Sequence, residues 1–146
     1  MKIRQLDLAD AEFIAHALAL RLMDSDSEPI PPFHTRHAGK LESCLAEPFQ
    51  TFDGKFLHRT FAERAAKLFY LITKNHCFEN GNKRMAVTLT LVFFYTNKRW
   101  IHATPEELYL IACKVAESKP QDKDIVHELL TETFRKFTTP LPQGRK

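Results

Sequence analysis

The stretch that organises the chain is HCFENGNKR, residues 76–84. It follows an amphipathic run, residues 61–75, and precedes an almost wholly apolar run, residues 85–95. Gly81 tolerates a positive φ and Asn82 is a good N-cap, so the stretch predicts a helix end, a tight turn and a new helix start. It therefore predicts two helices joined by a short polar loop, the second of them buried at the centre of the domain.

The charges of this loop predict an anion site. Lys83 and Arg84 fall in the first turn of the second helix, where cations face the positive end of the helix macrodipole and lower its stability. Free backbone N–H groups at that helix end, together with two cations, would bind a phosphate. His76 lies just upstream, where its imidazole could act as a base. The residues alone thus indicate a phosphate cradle with a histidine beside it.

The same stretch resembles the core motif of the Fic/Doc family, which runs His-x-Phe-x-Asp/Glu-Gly/Ala-Asn-Gly/Lys-Arg. The matching positions are His76, Phe78, Gly81, Asn82, Lys83 and Arg84. Lys83 stands where members that transfer AMP carry a second glycine, and Val87 stands where those members often carry another arginine. Both features favour the Doc branch, the death-on-curing toxins. A weaker likeness extends from Ala38 to Tyr95.

One position departs from the family pattern. Asn80 stands where the family carries the Asp or Glu that holds a metal ion, and Glu79 is acidic one place earlier. An amide oxygen can coordinate Mg²⁺ but carries no charge, and Mg²⁺ prefers carboxylates and phosphate oxygens. The resemblance therefore implies Mg²⁺ with Asn80 as a weak ligand, and the substitution puts activity itself in question.

The resemblance implies transfer of a group from ATP, or from another nucleoside triphosphate, to a protein hydroxyl. His76 would take the proton from the attacking Ser, Thr or Tyr hydroxyl, and Arg84 would clamp the phosphates. The other implied phosphate-binding positions are Gly81, Asn82 and Lys83. Phe78 would be the buried anchor of the loop. In Doc-type members a lysine at the position of Lys83 goes with transfer of the terminal phosphate, which favours a protein kinase with a translation factor among its targets.

Two alternatives stay open beside the kinase. The first is an AMP transferase of the Fic type, which Lys83 disfavours. The second is a catalytically weakened, binding-only Fic-fold protein, which the missing carboxylate at Asn80 would produce. Labelled ATP separates the three, because protein would gain terminal-phosphate label, adenine label or neither.

Residues 49–58 predict a β-hairpin. Asp53 and Gly54 lie between aromatic residues, and an Asp-Gly pair in that setting is a strong signal for a two-residue turn. In the Fic/Doc family a hairpin flap beside the active site holds the target chain as an added strand, so the resemblance implies the same role here. The implied flap residues are Phe49, Thr51, Phe52, Asp53, Gly54, Lys55 and Phe56.

The rest of the chain predicts a helical domain. Thr60 with a glutamate three places later forms a capping-box pattern, and Thr104 followed by proline is a strong helix start. The fold class is therefore all-α, a Fic-fold helical bundle with a short hairpin flap. The Fic/Doc domain is predicted over residues 1–137, and the proline-containing tail, residues 138–146, is predicted to be disordered.

Composition narrows the class of protein further. The 146 residues suffice for one domain with a core, and a net charge of +3 does not by itself indicate a nucleic-acid partner. No run reaches the ~18 apolar residues of a membrane span. The three cysteines, Cys44, Cys77 and Cys113, lack CxxC spacing. Together with the lack of a signal-peptide pattern, they favour reduced thiols and a cytoplasmic protein.

The resemblance also implies an antitoxin-like partner. Many Fic proteins inhibit themselves with a Ser/Thr-x-x-x-Glu-Gly/Asn helix, whereas the one similar run here, residues 43–47, is followed by Pro48. Doc-type members are restrained by a partner whose disordered segment folds on binding. We therefore expect inhibition in trans, at apolar surface between a helix over residues 9–23 and the central helices.

Overall fold

The computed structural model describes residues 2–24 and 28–141. The α-helices in these ranges are α1 (Ala17–Leu22), α2 (Lys40–Ala46), α3 (Phe61–Lys74), α4 (Asn82–Thr96), α5 (Pro105–Glu117) and α6 (Lys123–Phe137). A π-helical segment, Asp10–His16, leads directly into α1, and 3₁₀ turns lie at Phe33–Thr35, Glu47–Phe49 and Pro120–Asp122. The strands are β1 (Thr51–Phe52), β2 (Lys55–Phe56), β3 (Arg99–Ile101) and β4 (Thr138–Pro140). The predicted fold class, an all-α helical bundle with a short hairpin, is confirmed, and β3 and β4 form a second two-stranded sheet that was not predicted.

Helices α3 and α4 form the centre of the bundle. The predicted capping box opens α3: the Thr60 hydroxyl accepts the Glu63 N–H at 3.2 Å, and the Glu63 carboxylate accepts the Thr60 N–H at 3.3 Å. Residues 84–94 of α4 are all buried, and Phe61 of α3 stacks on Phe93 with ring centroids 4.9 Å apart. The loop between α3 and α4 is therefore held between two packed helices. No helix in the described part of the chain combines the length and apolar character that crossing a bilayer requires.

The predicted hairpin is confirmed, with one correction. Asp53 and Gly54 both have positive φ, +53° and +75°, as the primed two-residue hairpin turns require. Strands β1 and β2 are antiparallel and exposed. Phe49 was predicted as part of the flap, but it ends a 3₁₀ turn and packs edge-on against Phe93 of α4. The Phe49 ring makes more apolar contact against the core than it could make in an exposed two-residue strand. Phe49 therefore anchors the start of the hairpin to α4.

The chain after α6 differs from the prediction. Disorder was expected from Thr138 onward, but Thr138–Pro140 forms β4 and pairs with β3 in antiparallel register. The His102 N–H also donates to the Phe137 carbonyl at 2.7 Å, which extends the ladder. β4 pairs with a strand almost forty residues earlier, and such pairing produces no local sequence pattern. The prediction of disorder therefore rested on composition alone. Residues 142–146, the remainder of that predicted tail, lie outside the described residues.

Candidate active site

His76 occupies a strained backbone position at the end of α3. The helix ends at Lys74, and His76 follows two residues later with φ of +50°. A left-handed residue commonly ends a helix, but the position normally takes glycine or asparagine because a β-carbon there is crowded. The His76 side chain is exposed. A strained position filled by an exposed imidazole indicates a residue present for its side chain rather than for its backbone.

Helix α4 begins one residue earlier than the sequence predicted. Its N-cap is Gly81, with φ of +81°, and Asn82 is the first helical residue, so the prediction of Asn82 as N-cap is wrong. The Asn82 side-chain oxygen accepts the Phe78 N–H at 3.0 Å, and its amide nitrogen donates to the Phe78 carbonyl at 2.8 Å. An amide offers one donor and one acceptor side by side, and here both close the loop. A phosphate contact from Asn82 stays a prediction.

The loop is fixed from below by buried side chains. Phe78 is 1% exposed and packs on the ring of Phe33, as predicted for the loop anchor. The sulfur of Cys77 lies 3.5 Å from that of Cys44 in α2, and neither cysteine is disulfide-bonded. The hydrogen bond to Cys44, together with burial, raises the pKa of the Cys77 thiol. Burial and the raised pKa both disfavour the thiolate form, and Cys77 packs against α2 beneath the loop.

Arg84 is 6% exposed and crosses from α4 to the chain that follows α1. Its Nη1 donates to the Met23 carbonyl at 3.3 Å and to the Glu28 carbonyl. A β-carbon added at Gly81 would lie 3.3 Å from Arg84 Nη2, so the guanidinium also borders the loop. Arg84 thus joins three segments of chain besides carrying a charge, a structural role that the motif did not reveal.

A pocket of about 250 Å³ gathers the predicted residues. Those that line it are His76, Asn80, Gly81, Asn82, Lys83 and Arg84. The lining residues that the sequence did not single out for this site are Glu28, Thr73, Tyr109 and Ala116, with Glu79 from the loop itself. None of the described residues lining it belongs to the hairpin. The structure therefore brings the histidine and the two cations together in one pocket. The role of the hairpin as a flap beside this pocket stays a prediction.

A second, more apolar pocket of about 460 Å³ adjoins the first. The two share Glu28, Arg84 and Tyr109. Its remaining lining comes from the end of the N-terminal helix and the start of α5: Leu22, Met23, Pro105, Glu106 and Leu110. The sequence predicted a partner surface between the N-terminal and central helices; this pocket lies mainly between the N-terminal helix and α5, with Arg84 as its lining residue from central helix α4.

Few side chains in this pocket could serve as ligands of a metal ion. The Asn80 side-chain oxygen accepts the Gly81 N–H at 2.9 Å, while Glu79, exposed and lining the same pocket, offers a carboxylate. Residues 2–24 and 28–141 contain no group of three or more His, Cys, Asp or Glu side chains placed to hold a metal. The pocket therefore fits Mg²⁺ only if phosphate oxygens supply most of the coordination, which is the usual way enzymes hold this ion.

The fold and the pocket define a helical domain with a histidine and two cations at the start of its buried central helix. The model of the Fic/DOC family matches residues 5–94, more than half of the chain. The protein belongs to the Fic/DOC family, whose members transfer phosphoryl or nucleotidyl groups. The match does not separate the Doc branch from other members. No curated protein and no solved structure gives a significant match to the chain.

Proposed function

We propose that the protein transfers the terminal phosphoryl group of ATP, or of another nucleoside triphosphate, to a Ser, Thr or Tyr hydroxyl of a target protein. The observation that carries the proposal is that His76, Lys83 and Arg84 line one small polar pocket at the N-terminus of α4. A histidine can accept the hydroxyl proton, and cations with free helix N–H groups suit a transferring phosphate.

In the proposed step the target oxygen forms a bond to the terminal phosphorus as the bond to the nucleoside diphosphate breaks. His76 takes the hydroxyl proton, because its imidazole is exposed at the pocket wall. Lys83 and Arg84 lie against the phosphate oxygens and offset the charge that builds there. Bound Mg²⁺ would add positive charge at the phosphates, held by Glu79 and more weakly by Asn80.

The second part of the proposal is that the hairpin binds the target protein. The hairpin from Thr51 to Phe56 is exposed, and among residues 2–24 and 28–141 its two strands pair only with each other, so an extended target segment can add to it as a strand. The residues for this contact are those of the turn and strands, with Phe49 as their support.

ATP carrying label on either its terminal or its innermost phosphate tests the proposal. With a bacterial lysate as the source of target, we expect terminal-phosphate label in protein, and none with the His76→Ala variant. Label from the innermost phosphate would instead identify an AMP transferase. ATP binding without label transfer would identify a binding-only protein, the alternative that Asn80 favours.

Replacement of Lys83 by glycine should shift the product toward nucleotidyl transfer. The change removes both bulk and charge from the pocket and restores the glycine of AMP-transferring members, so the nucleotide can bind the other way round. Mass spectrometry of the modified protein distinguishes a phosphate from a nucleotide adduct. An unchanged product would show that Lys83 does not set the orientation of the nucleotide.

Replacement of Asn80 by aspartate should raise the transfer rate and the apparent affinity for Mg²⁺. The aspartate keeps the oxygen that accepts the Gly81 N–H, so the loop is retained, and it adds a charge facing the metal. Such charge can contribute several kcal/mol to transition-state stabilisation. Because ~1.4 kcal/mol already corresponds to tenfold, a rise of at least about tenfold in rate is expected. Titration of activity with Mg²⁺ measures both effects, with Asn75→Asp as the control. No change in either would mean that Glu79 and the nucleotide already hold the metal.

We also propose that the protein is a cytoplasmic toxin of a toxin–antitoxin module, with a translation factor as a possible class of target. The support is a pocket built for transfer beside the apolar pocket between the N-terminal helix and α5, which an antitoxin segment could fill. Leu22 of that pocket is exposed, and Phe13 and Leu20 are further exposed apolar side chains on the N-terminal helix. Direct contact with nucleic acid or membrane forms no part of this proposal.

Expression of the chain alone should slow bacterial growth, and co-expression of the adjacent reading frame should restore it. The His76→Ala form should be harmless, because the harm is expected to come from transfer. Growth curves of the three strains give the measurement. If the native and His76→Ala forms have the same effect on growth, the toxin proposal is wrong and the binding-only alternative gains support.

A further inference from the structure

A strongly basic cavity lies beneath the hairpin, separate from the pocket of His76. It has a volume of about 740 Å³ and shares no lining residue with the His76 pocket. Its cationic lining residues are Lys2, Arg4, Arg59 and Arg64, and its aromatic ones are Phe49 and Phe56. None of the described residues that line it is acidic. We call it the basic cavity.

Arg64 is the buried charge of the basic cavity. It is 5% exposed, and its Nε donates to the His58 carbonyl at 2.8 Å. Its guanidinium carbon lies 4.8 Å from the ring centroid of Phe49 and 4.2 Å from that of Phe56, so the two aromatic rings fix its plane. Desolvation by burial lowers the pKa of Arg64. The protein thus holds a desolvated guanidinium in one orientation.

Within the described residues, Arg64 makes no ion pair. The nearest acid in sequence, Glu63, is turned to the Thr60 hydroxyl and N–H in the capping box. Arg4, which lines the same cavity, already forms an ion pair, because its Nη2 lies 2.9 Å from Asp10 Oδ2. Desolvation by burial lowers the pKa of Arg64, and the Glu63 charge has the smaller, opposite effect. A buried charge without an ion pair is costly, so an incoming anion would gain more at Arg64 than at an exposed arginine.

We propose that the basic cavity binds an Asp or Glu side chain of the target protein. Arginine matches a carboxylate through two parallel N–H donors, and Arg59 and Lys2 add charge at the rim. Phe56 belongs to β2, so a segment that adds to the hairpin at β2 passes the mouth of the cavity. This inference rests on the proposed function for the identity of the bound chain, since it takes the segment on the hairpin to be the substrate.

The distance from the basic cavity to His76 predicts how far along the target chain the acidic residue lies from the modified hydroxyl. Arg64 lies ten residues before Lys74 on α3, which corresponds to roughly 15 Å along the helix, and His76 lies just beyond that end. An extended chain advances about 3.3 Å per residue, so the acidic residue is expected at least about four to five positions from the modified hydroxyl.

Direct binding without nucleotide tests the basic cavity independently of transfer. The probes are fluorescent pentaglutamate, fluorescent pentaglutamine and inorganic phosphate, with binding followed by fluorescence anisotropy and by competition. We expect pentaglutamate to bind and pentaglutamine not to bind. Binding of phosphate in place of pentaglutamate, or equal binding of the two peptides, would overturn the proposal.

The variants locate that binding. Arg64→Gln and Arg59→Gln should each weaken pentaglutamate binding about tenfold, the effect of losing a charge-assisted contact of ~1.4 kcal/mol. Lys123→Gln removes an exposed cation that does not line the cavity and should change binding less than about twofold. If circular dichroism shows that Arg64→Gln is unfolded, the exposed Arg59 carries the test in a double variant with Lys2→Gln. Unchanged affinity in these folded variants would overturn the site.

Two further comparisons separate this proposal from the proposed function. His76→Ala should bind pentaglutamate like the native chain, because His76 lies outside the basic cavity. In a transfer assay on a peptide library with one central hydroxyl, acids should be enriched at four or more positions from it. Binding of pentaglutamate without any transfer would leave the cavity intact as an anion site and count against the proposed transferase. Transfer without enrichment of distant acids would count against the docking role of the cavity.

Discussion

Replacement of His76 by glycine should abolish transfer and leave the protein at least as stable as the native chain. The residue has φ of +50° and an exposed side chain, so glycine relieves backbone crowding and removes no core contact. Loss of a general base lowers a rate by about 10²–10⁴-fold. Terminal-phosphate labelling of protein measures the rate, and urea unfolding measures the free energy of unfolding.

Two controls sharpen this result. His76→Ala should lose transfer equally but unfold about 1 kcal/mol more easily than His76→Gly, because alanine keeps the crowded β-carbon at positive φ. His102→Ala, at another exposed histidine, should retain transfer. If a folded His76→Gly protein still transfers phosphate, His76 is not the general base. A glycine variant less stable than the alanine variant would show that the positive φ stores no strain.

Features encoded by neighbouring residues were predictable from the sequence. The capping box at Thr60 and the Asp53-Gly54 turn both follow from side chains within a few positions of one another. The order of residues in the loop predicted which side chains line one pocket, because one short segment supplies the histidine, both cations and the helix N-terminus.

Features that depend on distant partners were not predictable in this way. Asn82 suits an N-cap by residue type, yet the backbone of Phe78 offers it two hydrogen bonds in the folded loop. Glu28 and Tyr109 reach the pocket only through packing of the α1–α2 connection and α5 against α4. The basic cavity is likewise lined by N-terminal residues, by the hairpin and by α3, and no local sequence pattern predicts that these segments come together.

Replacement of Arg84 by methionine should lower both stability and transfer, whereas the same change at Lys83 should lower transfer alone. Arg84 is buried and donates to the carbonyls of Met23 and Glu28, so its loss removes the hydrogen bonds that tie the chain after α1 to α4 and leaves a gap in the packing. We expect a loss of about 2–4 kcal/mol in the free energy of unfolding. Lys83 is only half-buried and sits at the positive helix end, so Lys83→Met should leave stability within about 0.5 kcal/mol or raise it slightly.

Urea unfolding and initial rates of phosphate transfer, measured on the same preparations, separate the two roles of Arg84. Arg84→Lys should recover part of the charge at the phosphates but less of the contact to the two carbonyls, because the lysine side chain is shorter and its one nitrogen cannot both reach the carbonyls, as Nη1 does, and border the loop at Gly81, as Nη2 does. Its rate should therefore recover more than its stability. An Arg84→Met protein as stable as the native chain would show that the guanidinium does not hold the chain after α1 to α4. Arg84 would then act at the phosphates only, and the shape of the pocket would depend on the loop from His76 to Gly81 alone.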